Sequence, residues 1–381
     1  MTFASVALAS RLRTVSLLGL AAGFSLFTSA CGDDLEAPEP EPPAPTLPKA
    51  VVVSGDFGST GVLSVVDVTA GTIRTKVVAG AAAADPVVRH LGDELLVVNR
   101  FGPTGSNVTV LNAATLEVTH QLSTGTNSNP QDAAVIGDVI YLPALETKGV
   151  VTLQRNGSHA LIDLSALDPD GKPDCNSVYA VDGKLVITCG LLEGFAATRD
   201  AKVVIYDPTD GSMLVVPLAA RNPVGFLQPT PKSSVFGGDL LIATADFFDA
   251  TKQCLLRINP QTGASSCAVT NAAMGGIANH YESDPTTGML FVTPTYYDGD
   301  FNLQGALRTV DLTSAAVVPK AWSPATQAIS DLAVCPDGTV ITTDSTFGAS
   351  GVRIFAAGVE RTTAPLGIGL PPVPQNGIVC Y

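Results

Sequence analysis

The chain has 381 residues, of which 46% are hydrophobic and 15% are charged, and its formal net charge is −14. This composition excludes an intrinsically disordered chain, because a sequence so apolar can bury a large core. The excess of acidic residues argues against nucleic acid as a partner, because proteins that bind it neutralise phosphates with lysine and arginine.

The first thirty residues have the pattern of an export signal. Arg11 and Arg13 precede an apolar run over residues 15–27, and small residues then lead to Cys31. The run is shorter than the roughly 20 apolar residues that a transmembrane helix needs. Export also predicts a compartment in which disulfide bonds form.

The same segment resembles a bacterial lipoprotein signal, in which the cysteine after the cleavage site carries the lipid. The resemblance implies that residues 1–30 are removed and that Cys31 anchors the protein in the cell envelope. The segment departs from the family at Thr28, where the family prefers leucine. The alternative is ordinary cleavage after Ala30 without a lipid. In enterobacteria, the residue after the lipidated cysteine directs a lipoprotein to the inner or the outer membrane. By that rule Gly32 favours the outer membrane, facing the periplasm or the cell surface.

Residues 31–48 read "CGDDLEAPEPEPPAPTLP" and include six prolines. This composition predicts a polyproline tether that neither packs in a core nor pairs in a sheet. At about 3.1 Å per residue, the tether reaches up to about 50 Å from the membrane.

Short β-strands in pairs dominate residues 49–381. Apolar runs flank turns that contain Gly and Asp, as in "VVRHLGDELLVVN", "AAVIGDVIYLP", "VYAVDGKLVITC", "SSVFGGDLLIAT" and "LAVCPDGTVITT". Such turns are a strong hairpin signal. Second hairpins follow, as in "VVIYDPTDGSMLVVP". The sequence therefore predicts repeated units of four strands, which we name a, b, c and d in chain order.

The loop between strands b and c recurs seven times. Its bulky residue stands at Phe57, Phe101, Leu145, Phe195, Phe247, Tyr296 and Phe347. The intervals of 44 to 52 residues predict an all-β fold, a seven-bladed β-propeller of four-stranded antiparallel blades over residues 49–381. The first hairpin lacks strand a, and the C-terminal "PQNGIVCY" reads as a lone strand. We expect this strand to join the N-terminal blade and close the ring.

An aspartate or asparagine ends strand c in five units, at Asp67, Asn112, Asp207, Asn259 and Asp311. In this respect the units resemble the YVTN-type repeat propellers of exported bacterial proteins. The third and seventh units depart from this pattern, with Gln154 and Ala356 at the same position. The resemblance implies a ring-shaped binding scaffold on a fold that hosts many unrelated functions.

The b–c loops and the starts of the inner strands share one face of such a ring, which we call the loop face. The a–b and c–d turns share the opposite face, which we call the turn face. The loop face is expected to carry the aromatic residues Phe57, Phe101, Phe195, Phe247, Tyr296 and Phe347. Around the central channel it is also expected to carry a polar rim of Asp132, Asn176, His280, Asp331 and Asn376.

The two sets of loop-face residues differ as candidates. Each aromatic residue is either a wedge packed between blades or a ligand contact. The polar rim is the better candidate ligand site, because pockets combine apolar walls with a few convergent polar groups.

Common catalytic and haem-attachment motifs are missing from the sequence. It has no Cys-x-x-Cys-His and no Gly-x-Ser-x-Gly. We therefore expect a non-catalytic, lipid-anchored envelope scaffold without a cofactor, whose partner is an envelope protein, a peptide or a glycan. The alternative is a propeller enzyme of the lactonase or quinone-dependent dehydrogenase type with its site at the channel mouth.

Two acidic loops are candidates for Ca²⁺, which takes six to eight oxygen ligands. They are "DPDGKPD", with Asp168, Asp170 and Asp174, and "DGDFN", with Asp298, Asp300 and Asn302. Neither loop has the remaining ligand positions of an EF-hand. The alternative is that both are solvated turns without a metal.

Six cysteines remain if Cys31 carries lipid, and three disulfide bonds use all six. The expected pairs are Cys175–Cys189, Cys254–Cys267 and Cys335–Cys380. The first two pairs flank hairpins within a residue or two of register. The third pair occupies matching positions on neighbouring inner strands, so that its bond would fasten the last strand.

The entry point of the chain predicts an orientation. The first strand begins near Lys49, at the turn-face end of its blade. The tether then leaves from the turn face, and we expect the loop face to point away from the membrane. The alternative is a tether that bends freely and imposes no orientation.

Overall fold

The computed structural model describes the folded part of the chain from residue 48 onward. The described residues are 48–194, 196–246, 249–284, 287–300, 302–317, 322–323 and 327–381. The predicted signal segment, Cys31 and almost all of the tether lie outside these ranges, as do Phe195 and Phe247.

Seven antiparallel sheets of four strands each make up the structure, so the predicted seven-bladed β-propeller is confirmed. Blade 1 contains β1 (Lys49–Gly55), β2 (Gly61–Asp67) and β3 (Thr72–Arg74). Blade 2 contains β4 (Pro86–Leu91), β5 (Glu94–Asn99), β6 (Asn107–Asn112) and β7 (Val118–Ser123). Blade 3 contains β8 (Ala134–Ile136), β9 (Val139–Ala144), β10 (Gly149–Gln154) and β11 (His159–Asp163).

The remaining blades follow in chain order. Blade 4 contains β12 (Cys175–Val181), β13 (Lys184–Cys189), β14 (Lys202–Tyr206) and β15 (Met213–Pro217). Blade 5 contains β16 (Pro223–Pro229), β17 (Leu240–Thr244), β18 (Cys254–Ile258) and β19 (Ser265–Thr270). Blade 6 contains β20 (Ile277–Asp284), β21 (Met289–Tyr297), β22 (Leu303–Gly305) and β23 (Arg308–Asp311). Blade 7 contains β24 (Ile329–Val334), β25 (Val340–Asp344), β26 (Gly351–Ala356) and β27 (Val359–Glu360).

The last strand, β28 (Ile378–Cys380), supplies strand a of blade 1, as the sequence predicts. It pairs antiparallel with β1, where Ala50 faces Cys380 and Val52 faces Ile378. The pairing continues to the C-terminal residue, because the amides of Lys49 and Tyr381 donate to each other's carbonyl oxygens at 2.9 and 3.0 Å. The first and last strands of the propeller therefore close the ring within one sheet.

Helical structure is confined to short segments in the described residues. They are a 3₁₀ turn (Ser165–Leu167) and α1 (Asn271–Met274). Within the part of the chain that the structure describes, no helix has the length and apolar character needed to cross a membrane.

The strands are apolar on both sides because each blade lies between two others. In β1, Val51 and Val53 pack on the residues of blade 2, and Ala50 and Val52 pack on those of blade 7. Alternate side chains of a strand point to opposite faces of its sheet, so both faces are buried here. This explains why the inner strands read as nearly continuous apolar runs.

Blades 5 and 6 differ from the predicted hairpins. In blade 5, strand a is β16, whereas the expected strand "SSVF" forms tight turns that lead into β17. Gly237 N donates to Ser234 O and Asp239 N to Phe236 O, both at 3.0 Å. In blade 6, strand c is divided into β22 and β23, which both pair with β21.

Two of the three predicted disulfide bonds are present, Cys175–Cys189 and Cys335–Cys380. The prediction for the third pair is wrong in this structure, where Cys254 and Cys267 are free thiols. Cys175 lies directly opposite Cys189, whereas Cys254 lies opposite Thr270 and Cys267 opposite Leu256. The Cys254 and Cys267 side chains are nevertheless in hydrogen-bond contact.

Candidate functional site

The five residues of the predicted polar rim lie at or just before inner strands. Asn176, His280 and Asp331 belong to β12, β20 and β24, and Asp132 and Asn376 precede β8 and β28. Only Asn176 is partly exposed, and the other four are at least nine-tenths buried. Most of the predicted rim is therefore packed into the wall of the channel.

The first buried network is centred on Asp132. Its carboxylate accepts two hydrogen bonds from Arg89, from Nε at 2.7 Å and from Nη2 at 2.9 Å. It also accepts bonds from Ser177 Oγ at 2.7 Å and from Val178 N at 3.0 Å. Since Arg89 lies in blade 2 and Ser177 in blade 4, one carboxylate joins three blades. Such an ion pair is stable in a buried place because both charges are hydrogen-bonded.

Arg89 also fills the centre of the ring. Its guanidinium carbon lies 3.8 Å from the centroid of the Phe226 ring, and its Nη2 donates to Leu227 O at 3.4 Å. Both of these residues belong to blade 5. Because blades 2 and 5 are three places apart in a ring of seven, this cation–π contact crosses the channel.

The second buried network joins blades 6, 7 and 1. His280 Nδ1 lies 2.9 Å from Asp331 Oδ1 and 3.1 Å from Asn376 Oδ1. The other oxygen of Asp331 accepts a hydrogen bond from Gly377 N at 2.6 Å. Burial opposes a charge on His280, but the Asp331 carboxylate outweighs it and raises the pKa of the imidazole. The Asp331 carboxylate therefore stabilises the charged form of the imidazole against the effect of burial.

Three further contacts link the networks into a continuous ring. Leu227 N donates to Ser177 Oγ at 2.7 Å between blades 5 and 4. Tyr281 Oη donates to Phe226 O at 2.7 Å between blades 6 and 5. Val88 N donates to Asn376 O at 2.8 Å between blades 2 and 1. Each of the seven blade interfaces thus has a polar bond near the axis.

An open cleft lies on the loop face beside this ring, and we call it the channel-mouth cleft. Its cavity volume is about 130 Å³. Its lining residues are Arg100, Gln131, Leu145, Asp174, Asn176, Gly190, Leu192, Asn222, Pro223, Val224, Gly225, Phe226, Gln375 and Asn376. Two of the five predicted rim residues, Asn176 and Asn376, line it, whereas Asp132, His280 and Asp331 do not.

Asp174 is the carboxyl group of the cleft. Its Oδ2 accepts a hydrogen bond from Leu192 N at 2.7 Å. Burial raises its pKa to about 6, and the nearby carboxylates of Asp170, Asp168 and Glu146 act in the same direction. Asp174 therefore changes charge near neutral pH, which the sequence did not indicate.

We expect Asp174→Asn to raise the melting temperature at pH 7.5. A carboxyl whose pKa is raised by folding binds its proton more tightly in the folded state, so folding is penalised as pH rises from about 4 through 6. The amide carries no such penalty. Because the carboxyl is half-buried and screened by solvent, the gain is roughly 1–3 °C at pH 7.5 and vanishes below about pH 4. Differential scanning fluorimetry across this range measures it.

Asp298→Asn is the control, for which we expect a change in melting temperature of the opposite sign. Hydrogen bonds from Asn302 N and Asp300 N lower the pKa of Asp298, so its contribution to stability is present above the unfolded pKa and lost as pH falls. This variant should melt below the wild type at pH 7.5. A gain for Asp174→Asn that is as large at pH 4 as at pH 7.5 would contradict the assignment.

The aromatic residues of the b–c loops project from the loop face. Phe57, Phe101 and Tyr296 are 48%, 41% and 43% exposed, and Phe347 is fully exposed. These fractions do not fit rings wedged between blades, so that interpretation fails for the four described residues. Phe195 and Phe247 lie outside the described residues.

The candidate calcium loops use their carboxylates for contacts within the protein. Asp168 is buried, and its Oδ1 accepts a hydrogen bond from Arg199 Nη1 at 2.7 Å. Asp298 Oδ1 accepts hydrogen bonds from Asp300 N at 3.0 Å and from Asn302 N at 2.9 Å. Asp170 Oδ1 accepts one from Lys172 N at 2.8 Å. Among the described residues, no three His, Cys, Asp or Glu side chains gather as a metal site.

Sequence reasoning missed several residues of this region. Arg89 had a signal, since it is a lone cation within the apolar run "VVRHL". Gln131, Asn222 and Gln375 had none, because isolated amides in loops are common. Arg100 pairs with Asp85, and its buried Nε makes no hydrogen bond with the described residues.

Comparison with known proteins supports the fold. The chain matches no protein-family model and no curated protein sequence. It is similar to a quinoprotein alcohol dehydrogenase-like protein from Bacteroides thetaiotaomicron, with a TM-score of 0.55 and 11% identity over 84% of this chain and 77% of that one. It is also similar to a dihydro-heme d1 dehydrogenase, with a TM-score of 0.51 and 12% identity over 87% and 76%.

A third similar structure is the hydrazine synthase of Kuenenia stuttgartiensis, with a TM-score of 0.50 and 13% identity over 76% of this chain and 89% of that one. At these identities, the likeness shows the fold alone. The propeller scaffold is shared with enzymes and with other proteins, so the function has to be argued from the residues of the site.

Proposed function

We propose that this chain is a non-catalytic, lipid-anchored β-propeller of the bacterial cell envelope that binds a protein, peptide or glycan with its loop face. The lipoprotein signal with Cys31 and the YVTN-type repeats are part of this proposal. So is an outer-membrane location, on the periplasmic or the surface side. The sequence features behind these parts are the signal pattern of residues 1–30, the proline-rich segment of residues 31–48 and the aspartate or asparagine that ends strand c in five units.

One observation carries the proposal. The acidic and basic residues of the predicted rim are paired inside the ring, Asp132 with Arg89 and His280 with Asp331. The open cleft beside them is lined mainly by amide, apolar and glycine residues, and its one carboxyl group, Asp174, accepts a hydrogen bond from a backbone amide and has no histidine beside it in the lining. Amides do not titrate near neutral pH, but they donate and accept hydrogen bonds. That chemistry suits recognition better than proton transfer.

The chain entry supports the expected orientation. Lys49 lies opposite Asp67, where the turn between strands c and d begins. The tether therefore starts on the turn face, and the loop face lies at the other end of the blades. Four exposed aromatic residues on that face add apolar area that a partner could cover.

An envelope cross-linking experiment tests the proposal. A photo-cross-linking amino acid replaces Thr104, on the loop face, or Thr209, on the turn face, and both positions are exposed. We expect a cross-linked product in intact envelopes from position 104 and not from position 209. In the same cells, Cys31→Ser is expected to release the protein into the soluble fraction. A product from position 209 alone would show that the loop face is not the binding face.

A propeller enzyme is the second candidate, and the His280–Asp331 pair is the observation in its favour. The pair has the arrangement of a base and the carboxylate that orients it. The burial of His280 counts against it, because the residue is 5% exposed and does not line the open cleft, so a substrate there would not meet its imidazole. Turnover of a lactone, sugar or alcohol by the purified protein, lost in a folded His280→Gln variant, would replace our proposal with this one.

A further inference from the structure

We propose that the channel-mouth cleft binds a neutral hydroxylated ligand, a sugar unit of a glycan, and that Asp174 and Asn176 hydrogen-bond its hydroxyl groups. This inference rests on the proposed binding function of the loop face and names the class of ligand. It is carried by the unused polar atoms of the cleft, by its charge and by its walls.

The cleft offers hydrogen-bond donors and acceptors side by side. Asn176 Oδ1 accepts a bond from Thr188 Oγ1 at 2.9 Å, and its Nδ2 has no partner among the described residues. Asn376 is 4% exposed, its Oδ1 bonds His280, and its Nδ2 likewise has no described partner. Asp174 uses Oδ2 on Leu192 N, which leaves Oδ1 as an acceptor. A hydroxyl group both donates and accepts, so it can satisfy both kinds of atom.

The charge of the cleft favours a neutral ligand. Only Arg100 and Asp174 carry a charge among the 14 lining residues. The Arg100 guanidinium is already paired with Asp85. An anionic ligand would meet the Asp174 carboxylate without a free cation to offset it. A neutral ligand requires no such compensation.

The walls of the cleft suit a sugar ring better than an extended peptide. Leu145, Leu192 and Pro223 provide apolar surface for the C–H faces of a ring. Extended peptides bind by adding a strand to a free sheet edge. Each blade has two edge strands, a and d. Near the axis, amides of strands a already bond neighbouring blades, as those of Val88, Val178 and Leu227 do, so the more open edges are the outer strands d, away from the cleft.

The carboxylate gives the expected binding a pH dependence. A hydrogen bond to a charged acceptor is stronger than one to a neutral acceptor, so protonation of Asp174 weakens binding. The charged groups facing it are Asp168 and Asp170 on its own loop, Glu146 from blade 3 and Arg100 from blade 2. Two cations nearby are occupied, since Arg199 pairs with Asp168 and Lys172 with Glu146. We expect about fivefold weaker binding at pH 5 than at pH 7.5.

Isothermal titration calorimetry and saturation-transfer NMR test the inference on the mature protein, which in our proposal begins at the lipidated Cys31. The probes are cellobiose, maltose and the disaccharide of N-acetylglucosamine, with digalacturonate as a charged sugar and a capped Ala-Gln dipeptide as a peptide. We expect at least one neutral disaccharide to bind and the charged sugar and the peptide not to bind. Asp174→Asn and Asn176→Ala should each weaken the binding about tenfold or more.

Gln121→Ala is the matched control, because Gln121 is an amide in a separate cleft of the loop face beside Thr104. It should leave the affinity unchanged. Melting temperatures identify any variant that fails to fold, and Gln375→Ala then serves as a second variant of the cleft. Binding of the peptide without the sugars, or binding of no neutral disaccharide, would overturn the inference. So would folded Asp174→Asn and Asn176→Ala variants that bind the disaccharide as tightly as the wild type does.

The two proposals can fail separately. A cross-link from position 104 without any sugar binding leaves the binding function in place and rejects the sugar. If Gln121→Ala abolishes sugar binding and Asn176→Ala does not, the sugar binds in the other cleft, and this inference is rejected. Failure of both the cross-link and the sugars rejects both proposals.

Discussion

Asp132→Ala is expected to lower the free energy of unfolding by about 3–5 kcal/mol. The substitution leaves the buried Arg89 guanidinium without its carboxylate and deprives Ser177 Oγ and Val178 N of their acceptor. The side chain of Asp132 is completely buried, and that of Arg89 is 9% exposed, so water cannot replace these bonds. Urea unfolding followed by circular dichroism should show a lower midpoint with an unchanged slope.

Two controls separate the buried pair from a general charge effect. Glu146→Ala breaks the exposed ion pair with Lys172, in which both side chains are about half exposed, and it should cost less than about 1 kcal/mol. The double substitution of Arg89→Met with Asp132→Leu should recover much of the loss, because it removes the unpaired charge. A cost for Asp132→Ala no larger than that for Glu146→Ala would contradict the role of the network.

Loss of the Cys335–Cys380 bond is the second large effect we expect. The bond closes a loop with a sequence separation of 45, for which chain entropy gives about 4 kcal/mol. It also fastens β28, which pairs with β1 over only three residues. Cys380→Ser should therefore lower the melting temperature and make the C-terminus sensitive to carboxypeptidase, because the closing strand can then leave the sheet.

The other cysteines provide the comparison. The Cys175–Cys189 bond has a separation of 14, so Cys175→Ser should cost about 3 kcal/mol, less than Cys380→Ser. The exposed, free Cys267 should tolerate replacement by serine with a change within about 0.5 kcal/mol. A C-terminus in Cys380→Ser that resists carboxypeptidase as well as the wild type would show that the bond does not hold the last strand.

For the polar rim, the sequence predicted the positions of the residues along the strands but not their burial. The repeat placed Asp132, Asn176, His280, Asp331 and Asn376 near the starts of inner strands, and the structure has them there. Their exposure could not be predicted, because it depends on partners from other blades. Asp132 meets Arg89, which lies 43 positions earlier, and His280 meets Asp331 in the next blade. No local pattern links such residues.

The cysteines show the same limit at short range. Cys175–Cys189 and Cys254–Cys267 flank hairpins of similar length, and the sequence treats them alike. Both hairpins contain a bulge, but only the bulge of the first hairpin leaves its two cysteines directly opposite each other, and only that pair is bonded. Bulges depend on how a strand packs against its neighbours, and a spacing of residues does not specify them.

The sequence by itself determined the number of blades, their four-stranded form and the closure of the ring. These features follow from alternation of apolar residues and from turn chemistry, which act between near neighbours in the chain. Only the tertiary structure decided which polar residues are buried in the ring and which face the channel-mouth cleft. Asp132 and Asp174 are both acidic residues before an inner strand, yet one is locked by Arg89 and the other is left with a free oxygen. That difference arises because closing the ring brings distant blades together around one axis.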